Sequence, residues 1–163
     1  MQYAQEQAAS REETVLQFVI FNVGAQNFAV EINRVREILR HRKVTRLPKC
    51  PTFLEGVIDL RGALIPIIDL RKRFELPAEV NAQTRIIVLR CRKKKIGLVV
   101  DAVQRVLHIP LKDIKAPPDI ARAHSSEFML AVAKYDEELY IILDLDSILS
   151  ASERLTLEKV KLT

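Results

Sequence analysis

The chain has 163 residues, 48% of them hydrophobic and 29% charged, with a net charge of +5. Ile, Leu and Val account for 51 residues, which excludes an intrinsically disordered chain. No window of about 18 residues is apolar throughout, which excludes a membrane-spanning helix. Residues 1–13 are polar with a charge of −2, so a flexible tail is expected there instead of a secretory signal. Cys50 and Cys91 stand alone, forming neither a CxxC nor a disulfide framework, which fits a reducing cytoplasm. With no Trp, four Gly and three His, the chain is poorly supplied for Gly-rich phosphate loops and His-based metal sites. A β-rich domain without a cofactor is favoured over an enzyme.

In chain order, Val15 to Val23 reads as a strand and Gly24-Ala25-Gln26-Asn27 as its turn. Phe28 to Ile32 alternates with period two, the mark of a half-buried strand. Asn33 to Leu39 fits either a continuing strand or a helical turn, and Pro48 and Pro51 bracket a loop. Leu54 to Leu60 and Leu64 to Leu70 are strands joined at Arg61-Gly62-Ala63, where Gly tolerates a tight turn. Pro66 within the second of these calls for an edge strand or a bulge. Arg71 to Phe74 is expected to form a short helix. Towards the end, Ser150 and Glu153 suggest a capping box for a terminal helix in Ser147 to Thr163.

The chain repeats itself. At an offset of 68, Phe18-Val19-Ile20-Phe21 meets Ile86-Ile87-Val88-Leu89, and Phe28, Val30, Val35 and Ile38 meet Ile96, Leu98, Val103 and Val106. After seven inserted residues the offset becomes 75, where Ile67-Ile68-Asp69-Leu70 meets Ile142-Leu143-Asp144-Leu145. Two copies of a small barrel of short strands account for the length.

Charge is concentrated in Arg90-Cys91-Arg92-Lys93-Lys94-Lys95, between two apolar runs, where a hairpin turn belongs. A basic barrel that binds nucleic acid through this cluster and through Arg40 to Lys49 is the alternative reading. It lacks the interleaved aromatics that such binding uses, since aromatics are 6% of the chain. Catalysis finds less support. No Ser lies in a GxSxG elbow, Cys50 has no base assigned by its neighbours, and His41, His108 and His124 lack ligand spacing. Asp69 and Asp144 hold equivalent repeat positions, which favours strand-ending structural roles.

The segment Phe53-Leu54-Glu55-Gly56-Val57-Ile58-Asp59-Leu60-Arg61-Gly62-Ala63-Leu64-Ile65-Pro66-Ile67-Ile68-Asp69-Leu70 stands out. Preceded by Val35-Arg36-Glu37-Ile38 and Arg46-Leu47-Pro48, it resembles the CheW family, the chemotaxis coupling proteins. That family's pattern is a Gly, then N-L-R-G, then an apolar run with Pro ending in D-L-R. It is met almost throughout, with Asp59 where Asn is usual. Gly97 to Asp101 and Val103 to Leu107 also look like the family, and the resemblance covers residues 15–150.

The resemblance implies a mainly β fold of two pseudo-symmetric, intertwined five-stranded SH3-like barrels with a few short helices. The barrels are expected over 14–83 and 84–150, followed by a C-terminal extension, 151–163. It also implies a non-catalytic, cytoplasmic adaptor with no cofactor and no small-molecule substrate. Such an adaptor joins the cytoplasmic tip of a methyl-accepting chemoreceptor to the regulatory domain of a histidine kinase. It reaches the membrane only through receptor arrays, and no nucleic acid is expected among its partners. Receptor contact is implied in an apolar groove between the barrels, at Ile32, Val35, Glu37, Gly97 and Leu98, with barrel core the alternative for the aliphatics. Gly56, Asp59 and Arg61 are implied at the receptor or kinase surface. On the Asp59-Leu60-Arg61 strand, residues i and i+2 face the same side, so Asp59 and Arg61 can pair.

Overall fold

The computed structural model describes residues 14–49, 54–118 and 128–148. The expected tail, Cys50 and the Ser150–Glu153 capping box lie outside them. Strands β1 (Val15–Val23) and β2 (Gln26–Glu31) form a hairpin. The ambiguous segment that follows is both things in turn: a 3₁₀ turn, Ile32–Arg34, and then strand β3, Val35–Arg40. Next come β4 (Leu54–Leu60), β5 (Ala63–Asp69) and one helical turn, Leu70–Arg73. The second copy runs β6 (Arg85–Cys91), β7 (Lys94–Val100) and β8 (Ala102–Pro110). After a second 3₁₀ turn follow β9 (Ile114–Lys115), β10 (Met129–Tyr135), β11 (Glu138–Leu143) and the helical turn Leu145–Ile148.

The strands form two sheets, in the orders β3-β6-β7-β5-β4 and β8-β1-β2-β11-β10-β9. Each is one barrel, and each takes strands from both repeats. The β6–β7 hairpin sits between β3 and β5 of the first repeat, and β1–β2 sits between β8 and β11 of the second. The two halves 14–83 and 84–150 are therefore the repeats of the sequence, not the barrels of the fold. The register preserves both offsets. Ile38↔Ile87 corresponds to Val106↔Val19, Ile58↔Ile65 to Ala133↔Tyr140, and the parallel pair Ile67↔Gly97 to Ile142↔Ala29. Even the bulges recur, between Val35 and Glu37 against Ile20/Phe21 of the β1–β8 pair, and between Leu54 and Gly56 against Met129 and Ala131. Pro66 falls within an interior strand and not on an edge. It is tolerated because the pairing of β5 with β7 begins only at Ile67.

Burial explains the exchange. Ile58, Leu60, Ile65, Ile67, Ile86, Val88 and Val99 fill one barrel, and Phe18, Ile20, Ala29, Leu107, Tyr140 and Ile142 help to fill the other. A third and larger cluster lies between them, joining Val19, Phe21 and Val30 to Ile87, Leu89 and Leu98. Alternate residues of β1, β2, β6 and β7 thus enter a barrel interior and the shared core. These strands are buried on both faces, including the Phe28 segment, for which half-burial is expected from its alternation. That is why Phe18 to Phe21 and Ile86 to Leu89 read as unbroken apolar runs instead of alternating ones.

One polar cluster is built into this apolar frame. Arg71 is 1% exposed and Asp69 5%. Arg71 Nε donates to Asp69 Oδ1 at 3.0 Å and Nη2 to Oδ2 at 3.1 Å, while Nη1 reaches Asp101 Oδ1 at 3.2 Å and the Glu79 carbonyl at 2.5 Å. Asp69 Oδ1 also accepts from the Arg71 amide, capping the helical turn at the end of β5. Asp101 Oδ2 accepts from the Gly24 amide at 2.7 Å, and its own amide donates to the Asn22 carbonyl. One guanidinium thereby ties the end of β5 to the β7–β8 corner and, through it, to the β1–β2 turn in the other barrel. Asp144, the repeat equivalent of Asp69, instead accepts from the Ser147 hydroxyl at 2.8 Å. Both aspartates have the strand-ending roles expected of them.

Removing Arg71 leaves two carboxylates without their buried cation. Arg71→Ala is expected to lower stability by about 3–5 kcal/mol in urea unfolding monitored by circular dichroism. Arg71→Lys, which keeps the charge but not the fork, should lose less.

Candidate functional site

The residues singled out from the sequence divide into two groups. Gly97 and Leu98 lie inside β7, and both are buried. Leu98 is 0% exposed and belongs to the shared core, so neither residue lines a groove by its side chain. A Cβ at Gly97 would stand 2.5 Å from Ile67 Cδ1 and 3.0 Å from Ile86 Cγ2, so this glycine leaves room in the barrel interior for side chains of the two strands beside β7. Gly56 sits at the β4 bulge with φ 148°, and a Cβ there would lie 2.1 Å from the Thr45 carbonyl oxygen. Thr45 and Val57 exchange two backbone hydrogen bonds of 2.9 Å at this point, joining the chain beyond β3 to β4. Gly56 serves that close backbone approach.

The second group meets. Glu37 is on β3 just past the bulge at Arg36, and Arg61 occupies the first position of the β4–β5 turn with φ 52°. Arg61 Nη2 donates to Glu37 Oε2 at 2.6 Å and Nη1 to Oε1 at 3.2 Å, a two-pronged pair. The side chains are 72% and 30% exposed respectively. The expected pairing of Asp59 with Arg61 does not occur. The strand ends at Leu60, so the i, i+2 rule stops there, and the left-handed backbone at Arg61 swings its side chain towards β3. Asp59 Oδ1 instead accepts from the Gly62 amide at 2.8 Å and closes the turn. Arg61 is therefore satisfied by Glu37, and the departure from Asn at position 59 leaves it untouched.

The hydrogen bonds from Arg61, with its charge, hold the Glu37 carboxyl below its ordinary value, and Arg42 and Lys95 add to this. Apolar side chains flank the pair in the chain: Ile38 is 41% exposed and Leu64 59%. Ile32, in the 3₁₀ turn, is 38% exposed, whereas Val35 is half-buried and packs against the shared core. Val35 thus contributes to folding whatever else it contacts.

A separate cleft of about 480 Å³ opens beside the shared core, lined by Val23, Phe28, Phe74, Leu76, Phe128 and Ile141 among others. Phe21, Phe28, Phe74 and Phe128 form a chain of rings with centroids 5.8, 5.4 and 5.3 Å apart. The Arg73 guanidinium lies 4.9 Å above the Phe128 ring. None of the eight singled-out residues lines this cleft. Its three aromatics, Phe28, Phe74 and Phe128, come from distant stretches of sequence, so no local pattern announces them.

Nothing at either place assembles reactive groups. Among the described residues no three of His, Cys, Asp and Glu gather in a way that could hold a metal ion. Cys91 is buried, and burial, followed by the neighbouring Asp146, pushes its thiol above the ordinary value, which disfavours the thiolate. Among the described residues no helix is long and apolar enough to cross a membrane.

Comparison with known proteins places the chain in a family. The CheW-like domain model matches residues 17–153. The chemotaxis protein CheW of Klebsiella aerogenes is 34% identical over 150 residues, spanning 91% of this chain and 90% of that protein. That of Rhizobium meliloti is 36% identical over 139 residues, spanning 85% and 90%. The crystal structure of the scaffolding protein TtCheW from Thermoanaerobacter tengcongensis superposes with a TM-score of 0.78 at 31% identity, covering 86% of this chain and 96% of that one.

Two expectations follow from the geometry. Gly56→Ala is expected to destabilise by about 1–3 kcal/mol through its backbone conformation alone, with the clash adding to it. Gly97→Ala should destabilise by about 1–3 kcal/mol through overpacking. Urea unfolding of each variant checks both. For the ion pair, a depressed carboxyl means that its contribution is present above the ordinary Glu range and is lost as pH falls through the lowered value. Carboxyl NMR titration should find Glu37 below an unperturbed Glu, and Arg61→Gln should bring it back up.

Proposed function

The chain belongs to the CheW-like family, whose members are scaffolds in chemotaxis, and we propose that it couples the cytoplasmic tip of a chemoreceptor to a histidine kinase. On this reading the protein works in the cytoplasm, recruited to membrane receptor arrays, and catalyses nothing. The observation that supports it most is the Glu37–Arg61 pair. Two sequence segments that each resemble the family converge on one exposed, two-pronged contact.

An exposed pair of this kind adds little to folding in water, because solvent screens it and ordering two long side chains opposes it. Its effect is to hold Arg61 in one orientation. A receptor helix laid over the surface would exclude water from the pair and strengthen it, which favours association. The remaining donors of Arg61 then face the partner's carbonyls or carboxylates in a fixed fork. Individually weak contacts suffice in an array, since neighbouring tethered contacts raise the effective concentration.

The test is binding of the purified protein to a receptor-tip hairpin and to a kinase regulatory domain. Both should bind, and Glu37→Lys is expected to weaken receptor binding by about tenfold or more while the thermal transition stays nearly unchanged. The exchanged double variant, Glu37→Arg with Arg61→Glu, restores the pair but should not restore receptor binding. Full recovery in that variant would reduce the pair to a structural role, and failure of the unaltered protein to bind either partner would refute the adaptor reading.

A further inference from the structure

The fold contains an internal control for its basic turn. The β1–β2 and β6–β7 hairpins hold equivalent places in the two repeats, with Asn22↔Asn27 and Val23↔Gln26 in one register and Arg90↔Lys95 and Cys91↔Lys94 in the other. The turns share a left-handed first residue, Gly24 at φ 61° and Arg92 at φ 59°. Yet the first hairpin reads Asn22-Val23-Gly24-Ala25-Gln26-Asn27, without a charge, and the second reads Arg90-Cys91-Arg92-Lys93-Lys94-Lys95.

The neutral version is the better hairpin. Asn22 Nδ2 donates to Asn27 Oδ1 at 2.7 Å across the ladder, where the second hairpin sets Arg90 opposite Lys95. Like charges directly opposed in a sheet are destabilising, and a non-glycine residue at positive φ is disfavoured. The opposition of Arg90 and Lys95 is therefore a cost to the fold and not a support of it. Part of the cluster is organised internally: Arg34 Nη1 donates to the Arg90 carbonyl and Arg90 Nε to that of Arg92, each at 3.2 Å. Asp146 approaches Arg92 at 3.9 Å. Arg90, Arg92, Lys93 and Lys95 are exposed.

The cluster also adjoins the site already described. β3 pairs with β6 as Val35↔Leu89 and Glu37↔Val88, so the charged turn emerges just beyond the Val35 end of β3. We infer that the β6–β7 hairpin is a docking face for a carboxylate-rich segment of the same partner that binds over Glu37 and Arg61. This rests on the adaptor reading. A protein surface fits better than a phosphate chain for two reasons. Residues 85–100 contain no aromatic on which bases could stack. The carboxylate of Glu37, itself paired with Arg61, interrupts the basic surface along β3 and β6, which suits a protein segment of mixed charge and not a continuous row of phosphates.

The experiment grafts the neutral turn onto the second hairpin as Arg90→Asn, Arg92→Gly, Lys93→Ala and Lys95→Asn, with Lys95→Asn alone as a milder variant. The probes are the receptor-tip hairpin, poly-L-glutamate and a short single-stranded DNA, each titrated at two salt concentrations. The grafted variant should melt no lower than the unaltered protein. It should bind the receptor tip about tenfold more weakly at low salt, with a flatter salt dependence, and lose poly-L-glutamate binding. Lys95→Asn should move in the same direction by less. Equal receptor binding and equal salt dependence in the grafted variant, with the unaltered protein binding normally, would overturn this inference and leave the adaptor reading standing. No receptor or kinase binding by the unaltered protein would overturn the adaptor reading instead. Stronger binding to DNA than to poly-L-glutamate, lost on grafting, would reassign the hairpin to phosphate.

Discussion

Four strands buried on both faces govern the rest of this structure. β1, β2, β6 and β7 each send alternate side chains into a barrel interior and into the core shared between the barrels. A strand of that kind must be covered on each side, and neither repeat has enough other strands to do so alone. Each hairpin is therefore lent to the other barrel. Every fully buried Ile, Leu or Phe contributes roughly 1.5–3 kcal/mol relative to exposure, so the shared core outweighs any single polar contact. The Arg71 cluster then fixes what apolar contact leaves adjustable, because its hydrogen bonds have direction and hydrophobic burial does not.

With the interior so committed, variation between the copies is confined to turns and outer faces. The turn at Arg61-Gly62 has its counterpart at Asp136-Glu137, all four residues at positive φ. Glu37 corresponds to Arg105, which lies 3.3 Å from the Tyr140 hydroxyl, and that hydroxyl donates to Glu138 at 2.9 Å. The same backbone thus presents an acid reached by a turn arginine on one barrel, and a base within a tyrosine–glutamate contact on the other. The two scaffolds are equal and their surfaces are not.

Much of this was legible in the sequence. The repeat was visible because hydrophobic position is conserved between copies wherever the ladder is, and the offsets of 68 and 75 reappear as strand register. The turns at Gly24, at Gly62 and at Arg92 were marked by their composition and by the apolar runs on either side. The exchange of hairpins was not legible, since burial on both faces looks the same whichever barrel supplies the cover. Glu37 and Arg61 could each be chosen from their motifs, but their contact depends on a left-handed residue that turns Arg61 out of its strand. Gly97 and Leu98 lay in a matching motif for a packing reason, and sequence alone does not separate a residue that touches a partner from one that shapes the core. Arg71 was passed over because a buried arginine looks like any exposed one until its carboxylates are placed around it.

Lending hairpins between barrels also determines the order in which the chain can mature. The first hairpin emerges early in synthesis, yet its companions β8 and β11 end at Pro110 and Leu143. The opening strands must wait, with apolar faces uncovered, until nearly the whole described chain is available. Contacts this distant in sequence make closure slow, and an unpaired hairpin can be captured by an equivalent site on a neighbouring molecule. A polysome crowded with nascent copies is where this architecture is most vulnerable, and prompt pairing within one chain is its protection.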